Sequence, residues 1–327
     1  MEQPCESANE KVSLSDLSPD HVAPLKGTLT RILATEVARR TFAQIVDGVQ
    51  LEDKRFEPSA THPGRSDVCP RAYEVLDAFR DNFSFDMLQF DTKKAQAYQN
   101  TPVDSKDFGK HLLEMTAVSL HEIGASLFRL ADGGLHKDDH EAPSDQNLSL
   151  FHHTHYKDWT QCRQGTANDA GYWVELKILG GVVIFDRGES GLEYGQVYLH
   201  PFRYKIFSLL PFQVQAFVDF GTGLWQESYP PLPMKPKVGA DRLDNYDSFD
   251  RHIFRDRYER TRPPPNVDRY GRPPDRIMFV PEDELDFMDS IRRGVESGLL
   301  PPNLFSAEYW APIYEKDGAP PQRPESP

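Results

Sequence analysis

The chain has 327 residues, 38% of them hydrophobic, and a formal net charge of −14 at pH 7. This length suits one large domain or two smaller ones, and the acidic balance excludes a nucleic-acid backbone as the main partner, because an acidic surface repels phosphate. The three cysteines lie too far apart for a disulfide framework or a zinc knuckle. No apolar run approaches the roughly 20 residues of a membrane span, and the N-terminus lacks a secretory signal. We therefore expect a cytoplasmic protein without membrane contact.

Helical patterns occupy the first part of the chain. Residues 1–17 are polar, and we predict that they are disordered. Ser18 and Pro19 form a typical helix start, and apolar residues spaced three and four apart continue the helix to about Val46. The helices predicted in this part are 18–46, 71–79 and a central helix at 105–131, with loops at 54–70 and 136–149.

The apolar period changes from helical to alternating after Gly171. The alternation over Trp173–Leu179 predicts a half-buried strand, and Gly180–Gly181 predicts a two-residue hairpin turn into a second strand. The strands predicted here are 173–179, 182–185, 196–200 and 204–209, and a helix follows Pro211. The sequence therefore predicts an α+β fold in which N-terminal helices pack on an antiparallel β-meander, with a core domain over 18–225.

The C-terminal third has a different composition. Prolines and basic residues are concentrated over 226–281, which predicts irregular backbone that can present a polyproline segment to a protein partner. We predict a helix and packing arm over 282–316 and a disordered tail over 317–327.

Histidines and carboxylates are concentrated over 136–158. Five of the 11 histidines lie between positions 136 and 155, and both residue types are ligands for zinc or iron. We select His153, His155 and Asp158 as candidate metal ligands, because His153-x-His155 puts two imidazoles on one face of a strand. The alternative is a solvated acidic loop, and no spacing fixes a cofactor.

Three histidines elsewhere have separate interpretations. His200, together with His136-x-Asp138, has the composition of a two-histidine, one-carboxylate iron site, but a polar loop is an unusual setting for it. We predict that His111 and His121 are partly buried in the long helix and hydrogen-bonded by the nearby carboxylates Glu114 and Glu122.

A charged loop at the end of the predicted hairpin forms the other side of a candidate pocket. Charged groups on a loop that a sheet holds in place are often functional, and aromatic residues flank this region. The candidate pocket residues are His155, Tyr156, Asp158, Trp159, Trp173, Asp186, Arg187 and Glu189. The alternative is that Asp186 and Arg187 pair with each other or with the adjacent loop and fix the turn. The sequence has no phosphate-binding loop, dinucleotide fingerprint, nucleophile elbow or zinc-protease motif.

Two stretches carry a family resemblance. They resemble a large family of filamentous-fungal proteins with no assigned activity. The first stretch is Leu88-Gln-Phe-Asp91, and the second runs from Asp169-Ala-Gly-Tyr-Trp-Val-Glu175 through Ile178-Leu-Gly-Gly-Val-Val-Ile-Phe-Asp-Arg187. The resemblance covers residues 85–220. It implies a fungal cytosolic protein, and some family members are encoded near secondary-metabolite genes.

These observations lead to one main functional expectation and two alternatives. We expect an accessory protein that binds a small molecule or a protein partner, with a link to secondary-metabolite biosynthesis. The first alternative is an enzyme, metal-dependent or not, with its site between His152–Asp158 and Asp186–Glu189, which requires His153, His155, Asp158, Asp186 and Arg187 to converge. The second is a scaffold that recruits partners through its C-terminal segment.

Overall fold

A computed structural model describes residues 11–51, 67–137, 150–151, 153, 155–156, 165–201, 205–244, 248 and 250–256. The helices are α1 (Pro19–Leu33), α2 (Glu36–Asp47), α3 (Pro70–Asn82), α4 (Thr92–Asn100), α5 (Phe108–Leu130), α6 (Thr166–Leu179) and α7 (Pro211–Thr222). The strands are β1 (Lys11–Ser13), β2 (Gln89–Asp91), β3 (Val182–Asp186), β4 (Val197–His200), β5 (Lys205–Ser208), β6 (Arg242–Asp244) and β7 (Ile253–Phe254). The predicted α+β class is confirmed.

The first predicted helix is two helices. Thr35 separates α1 from α2: its hydroxyl donates to the carbonyl of Ile32 at 2.6 Å and accepts the N–H of Ala38 at 3.3 Å. A side-chain oxygen that accepts an early N–H is the usual start of a helix. The apolar spacing continues across this break, which is why the pattern alone predicted one helix.

The predicted strand over 173–179 was wrong, because these residues belong to α6. Glu175, which the alternation placed on a solvent face, is fully buried. Gly180 ends the helix with a φ of 97°, and its N–H bonds the carbonyl of Leu176, so it is a left-handed helix cap and not a hairpin turn. Both faces of α6 are covered, and a helix buried all round shows no clear helical period.

The main sheet is antiparallel, with the strand order β6-β5-β4-β3-β7. Strands β3, β4 and β5 match the last three strands of the predicted meander. Val182 pairs with His200 at one end of β3, and Asp186 pairs with Ile253 at the other. Both edge strands come from the segment 226–281, which was predicted to be irregular. Its described part up to residue 256 therefore completes the sheet, and the sheet extends beyond the predicted core boundary at residue 225.

The two faces of the sheet contribute to different cores. Val183, Phe185 and Leu199 join the helices around α5 in the main core. Val182 and Ile184 point the other way and belong to a second, smaller core. Its members are Tyr156, Tyr172, Val182, Ile184, Tyr198, Ile206 and Ile253.

The N-terminal segment is more ordered than predicted. Within residues 11–17, β1 pairs with β2, and the side chains of Leu14 and Leu17 are buried. None of the described helices has the length and apolarity needed to cross a lipid bilayer. The predicted C-terminal helix and tail lie outside the described residues.

Candidate functional site

His153 is buried and bonded to backbone on both sides of its ring. Nε2 lies 3.1 Å from the carbonyl oxygen of His200, and Nδ1 accepts the N–H of His155 at 3.2 Å. A neutral imidazole that donates from one nitrogen and accepts at the other has no lone pair left for a metal ion. His153 therefore fastens its segment to β4, and this geometry does not favour the predicted role as a metal ligand.

An aromatic row of four side chains runs from this segment to α6. The His155 ring stacks on the His200 ring with centroids 4.8 Å apart, and Nδ1 of His200 lies 3.2 Å from the Tyr156 hydroxyl. The Tyr156 ring then lies 4.6 Å from the Tyr172 ring. We call His155, His200, Tyr156 and Tyr172 the aromatic row.

Next to the aromatic row lies a group of buried polar residues between α5 and α6. His121 of α5 places Nδ1 3.0 Å from Oε1 of Glu175 and Nε2 2.8 Å from Oδ1 of Asn168, and the edge of its ring meets Tyr172 at a centroid distance of 4.5 Å. Each ring nitrogen of His121 therefore has an oxygen within hydrogen-bond distance. Gly171 makes room for it, because a Cβ there would lie 2.6 Å from the ring atoms.

Arg255, just after β7, completes this group. Its Nη1 lies 2.8 Å from Oε2 of Glu175, and both side chains are almost fully buried. The Glu175 carboxylate thus has a cation on one oxygen and His121 on the other, as a buried charge requires. We call His121, Asn168, Asp169, Glu175 and Arg255 the α5–α6 polar centre.

Asp169 is the member of this centre whose carboxyl group lacks such a partner. Its side chain is 2% exposed, and Oδ2 makes no hydrogen bond to any residue that the structure describes. Burial raises the pKa of Asp169 to about 7, although the neighbouring His121 acts in the opposite direction. The carboxyl group therefore gains or loses its proton near neutral pH.

Arg187 was predicted to line the pocket, but the structure gives it a structural role. Its Nη2 donates to Oε1 of Glu114 at 2.7 Å and to the carbonyl of Arg255 at 3.1 Å, and its Nε donates to the carbonyl of Phe254 at 3.3 Å. Burial alone would raise the pKa of Glu114, but Arg187 reverses this effect and lowers it. The pair joins α5 to β7. Arg187 therefore pairs with Glu114 and not with Asp186, and it also donates to the carbonyl of Glu193 in the adjacent loop at 3.5 Å.

The two sides of the predicted pocket do not converge. His153 bonds the carbonyl of His200, and His200 pairs with Val182 at one end of β3. Asp186 lies at the other end of that strand, roughly 13 Å from Val182 at about 3.3 Å per residue. Oδ1 of Asp186 accepts the N–H of Gly188 at 3.0 Å, which fixes the loop.

The remaining predicted pocket residues lie elsewhere. Trp173 is buried in the main core, where its ring meets the Phe151 ring with centroids 4.8 Å apart, and Glu189 is exposed. Asp158 and Trp159 lie outside the described residues.

The histidines of the long helix have partners other than those predicted. His121 bonds to Glu175 and not to Glu122. The His111 ring lies 3.8 Å from the Tyr194 ring, and burial lowers the pKa of His111. The hydroxyl of Tyr194 donates to Oε2 of Glu114 at 2.6 Å, so the environment of Glu114 is already satisfied.

The α5–α6 polar centre was not predicted, although the sequence contains a signal for it. Asp169, Tyr172 and Glu175 are spaced three residues apart, so they lie on one face of a helix. Interpreting the segment as a strand separated Glu175 from the other two. The position of Arg255 had no local signal, because its partner lies 80 residues earlier in the chain.

The chain was also compared with known proteins. Comparisons with protein-family models, with curated proteins and with solved structures found no match. The chemistry of the site therefore has to be deduced from its geometry. A carboxyl group that titrates near pH 7, beside an imidazole and next to aromatic rings, can accept a hydrogen bond from a polar ligand or exchange a proton with it.

Proposed function

We propose that this protein binds a small molecule at the α5–α6 polar centre, with the aromatic row as the apolar wall of the site. The observation that supports this best is Oδ2 of Asp169, which is buried without a hydrogen-bond partner among the described residues. An unsatisfied buried acceptor costs about 1–3 kcal/mol, and more when it is charged, so native proteins rarely keep one without a reason. A donor group on a ligand would supply the missing hydrogen bond.

The charges of the centre indicate the kind of ligand. Glu175 is neutralised by Arg255 and His121, which leaves Asp169 as the carboxyl group available to a ligand. A carboxylate prefers an amine or a hydroxyl donor, and aromatic faces favour flat or cationic groups. We therefore propose a small ligand with an amine or hydroxyl group attached to an apolar, preferably aromatic, body.

Acid–base catalysis at the same centre is the second candidate function. A general acid or base works best when its pKa lies near the working pH, and burial brings the pKa of Asp169 to about 7. His121, with an oxygen on each side of its ring, lies beside it in the same polar centre. This candidate site differs from the one predicted between His152–Asp158 and Asp186–Glu189.

The proposed cellular role follows from the sequence resemblance. We propose a cytoplasmic accessory protein that serves a fungal secondary-metabolite pathway by binding an intermediate or a partner. The ligand class argued above, an aromatic amine or alcohol, is compatible with such a role.

Thermal-shift screening with paired variants tests the binding proposal. Wild-type protein and Asp169→Asn are compared against one panel of small aromatic amines and alcohols, with Asp77→Asn as a control at an exposed carboxyl group. We expect some compounds to raise the Tm of the wild type and of Asp77→Asn but not of Asp169→Asn. If every stabilising compound acts equally on Asp169→Asn, the ligand does not bind at this centre.

The catalytic candidate has its own readout. Any turnover of a stabilising compound should show a pH–rate inflection near 7 that is lost in Asp169→Asn. Turnover with an unchanged profile in the variant would contradict a role for Asp169.

A further inference from the structure

Asp47, Cys69 and His136 form a second cluster of polar side chains, away from the proposed ligand site. Asp47 is the last residue of α2, Cys69 directly precedes α3, and His136 follows the turn after α5. One carboxylate oxygen, the Cys69 sulfur and one ring nitrogen of His136 all lie within 4.8 Å of one another. We call these three residues the α2–α3 cluster.

The fold holds each member of the α2–α3 cluster in place. The Asp47 side chain is fully buried, with Oδ1 2.7 Å from Nδ1 of His136 and Oδ2 accepting the backbone N–H of Cys69 at 3.1 Å. The backbone N–H of His136 bonds the carbonyl of Asp47 at 2.9 Å. Gly134 lets the two chain segments touch, because a Cβ there would overlap the backbone of Gly48.

The side chains are accessible from one side. The His136 side chain is 30% exposed, and Cys69 is half-buried, so an ion can reach the cluster without opening the core. The buried carboxylate of Asp47 lies on the inner side of the cluster, behind these two side chains.

The donor set points to zinc. Thiolate, imidazole and carboxylate are all ligands of Zn²⁺, whereas Mg²⁺ and Ca²⁺ prefer oxygen alone and Cu⁺ prefers sulfur. Ligand atoms around tetrahedral zinc lie roughly 3.3 Å apart at Zn–N and Zn–O distances of about 2.0–2.1 Å, so the contact between Asp47 and His136 has to open by only about 0.6 Å.

Metal binding by the cluster requires its ligands to be deprotonated. A divalent cation displaces the thiol proton of a cysteine ligand, so zinc binding at this cluster releases protons and weakens as the pH falls.

We propose that the α2–α3 cluster is a zinc site, with Asp47, Cys69 and His136 as protein ligands and water at a fourth position. Bound zinc would cross-link the end of α2, the start of α3 and the turn after α5. This zinc site shares no residue with the proposed ligand site at Asp169, so either proposal can fail without the other.

Cobalt substitution tests this site in the full-length protein. Protein freed of metal with a chelator is titrated with Co²⁺, and the bound Co²⁺ is then displaced with Zn²⁺. We expect one Co²⁺ per chain, a thiolate-to-cobalt charge-transfer band in the near ultraviolet and the ligand-field bands of a tetrahedral site. Cys69→Ser should lose the charge-transfer band and weaken zinc binding by more than the ~10–100-fold that loss of an outer-shell partner costs.

Two further variants make the result decisive. Cys162→Ser removes a thiol that is not one of the three proposed ligands and should leave the spectrum unchanged. His136→Gln changes a partly exposed ligand and should also weaken zinc binding. It serves as the test variant if circular dichroism shows that Cys69→Ser does not fold. The proposal is overturned if folded wild-type protein binds no Co²⁺, if its spectrum lacks a thiolate band, or if the affected variants bind like the wild type.

Discussion

Buried carboxylates in this protein differ in how they are neutralised. Glu114 has Arg187 and Tyr194, and Glu175 has Arg255 and His121, whereas burial leaves Asp169 with a pKa of about 7. A buried charge with its partners in place stabilises the fold only modestly, but removing one of those partners lowers the free energy of unfolding strongly. These residues therefore have opposite expected effects on stability when they are replaced.

Replacing Asp169 should stabilise the protein in a pH-dependent way. The folded-state pKa of Asp169, about 7, lies above the ordinary value of 3.8. The contribution of the Asp169 carboxyl group to folding stability is therefore complete below about pH 4 and is lost as the pH rises through 7. Asp169→Asn carries no such charge. We expect it to be more stable than the wild type by roughly 1–3 kcal/mol at pH 8, with a smaller difference at pH 5.

Urea denaturation at the two pH values measures this difference. Asp77→Asn, at an exposed position, should follow the wild type at both. A destabilisation by Asp169→Asn that is equal at pH 5 and pH 8 would show that the carboxyl group has a structural partner.

Replacing Arg187 should have a large cost. Arg187→Met leaves Glu114 buried and without its cation, which we expect to lower the free energy of unfolding by about 3–5 kcal/mol. The double variant Arg187→Met/Glu114→Gln should recover part of this loss, because it removes the stranded charge. Arg39→Met, which breaks a half-exposed pair with Asp77 at 3.4 Å, should cost less than about 1 kcal/mol.

Chemical denaturation of these variants separates the two kinds of ion pair. If Arg187→Met and Arg39→Met destabilise the protein equally, the Arg187–Glu114 pair does not join α5 to β7 in the way described.

At the scale of elements, the contact between α5 and α6 determines the site. The two helices approach closely because Gly124 of α5 faces Val174 of α6, where a Cβ at position 124 would lie 2.6 Å from a methyl carbon of Val174. This closeness brings His121 against Gly171 and within reach of Glu175. The geometry of the polar centre thus depends on two glycines.

A methyl group at position 124 should push the helices apart. Gly124→Ala is expected to cost about 1–3 kcal/mol through overpacking, measured by thermal unfolding. Val174→Ala should also destabilise, but the double variant should be more stable than the sum of the two effects, because each change makes room for the other. Strict additivity would mean that the two residues are not in contact.

The elements were predictable where the signal was local. The apolar spacing predicted α5 to within three residues of its start and one of its end, and the strands predicted at 182–185, 196–200 and 204–209 correspond to β3, β4 and β5. The pattern misidentified α6, because burial on both faces removes the helical period. The candidate site was only partly predictable: His155 and Tyr156 do lie in the aromatic row, but Asp169 and Glu175 depend on the correct assignment of α6.

At the scale of the whole molecule, long-range pairing sets the boundaries. The core was predicted to end at residue 225, but β6 and β7 form the two edges of the main sheet, and Arg255 neutralises Glu175. No local pattern marks these strands, which are three and two residues long. Their place is set by strand partners 35 to 69 residues away.

Truncation tests this boundary. A chain that ends at Gly223 loses β6, β7 and Arg255, so we expect it to lose cooperative thermal unfolding. A chain that ends at Pro264, the limit of the compact unit that contains all described residues, should unfold cooperatively. Circular dichroism melts of both proteins decide this, and cooperative unfolding of the shorter chain would mean that the edge strands are dispensable.

The position of β7 also affects how the protein folds during synthesis. Its partner β3 ends at Asp186, and Phe254 is 68 residues later in the chain. At a synthesis rate of about 5–20 residues per second, β7 is synthesised roughly 3–14 s after β3, so one edge of β3 has no partner strand during that time. For that time a strand of sequence Val-Val-Ile-Phe-Asp has an unpaired edge of the kind that recruits other chains. Slow translation of residues 187–254 should therefore increase aggregation of the nascent protein, and chaperone demand should be highest in this interval.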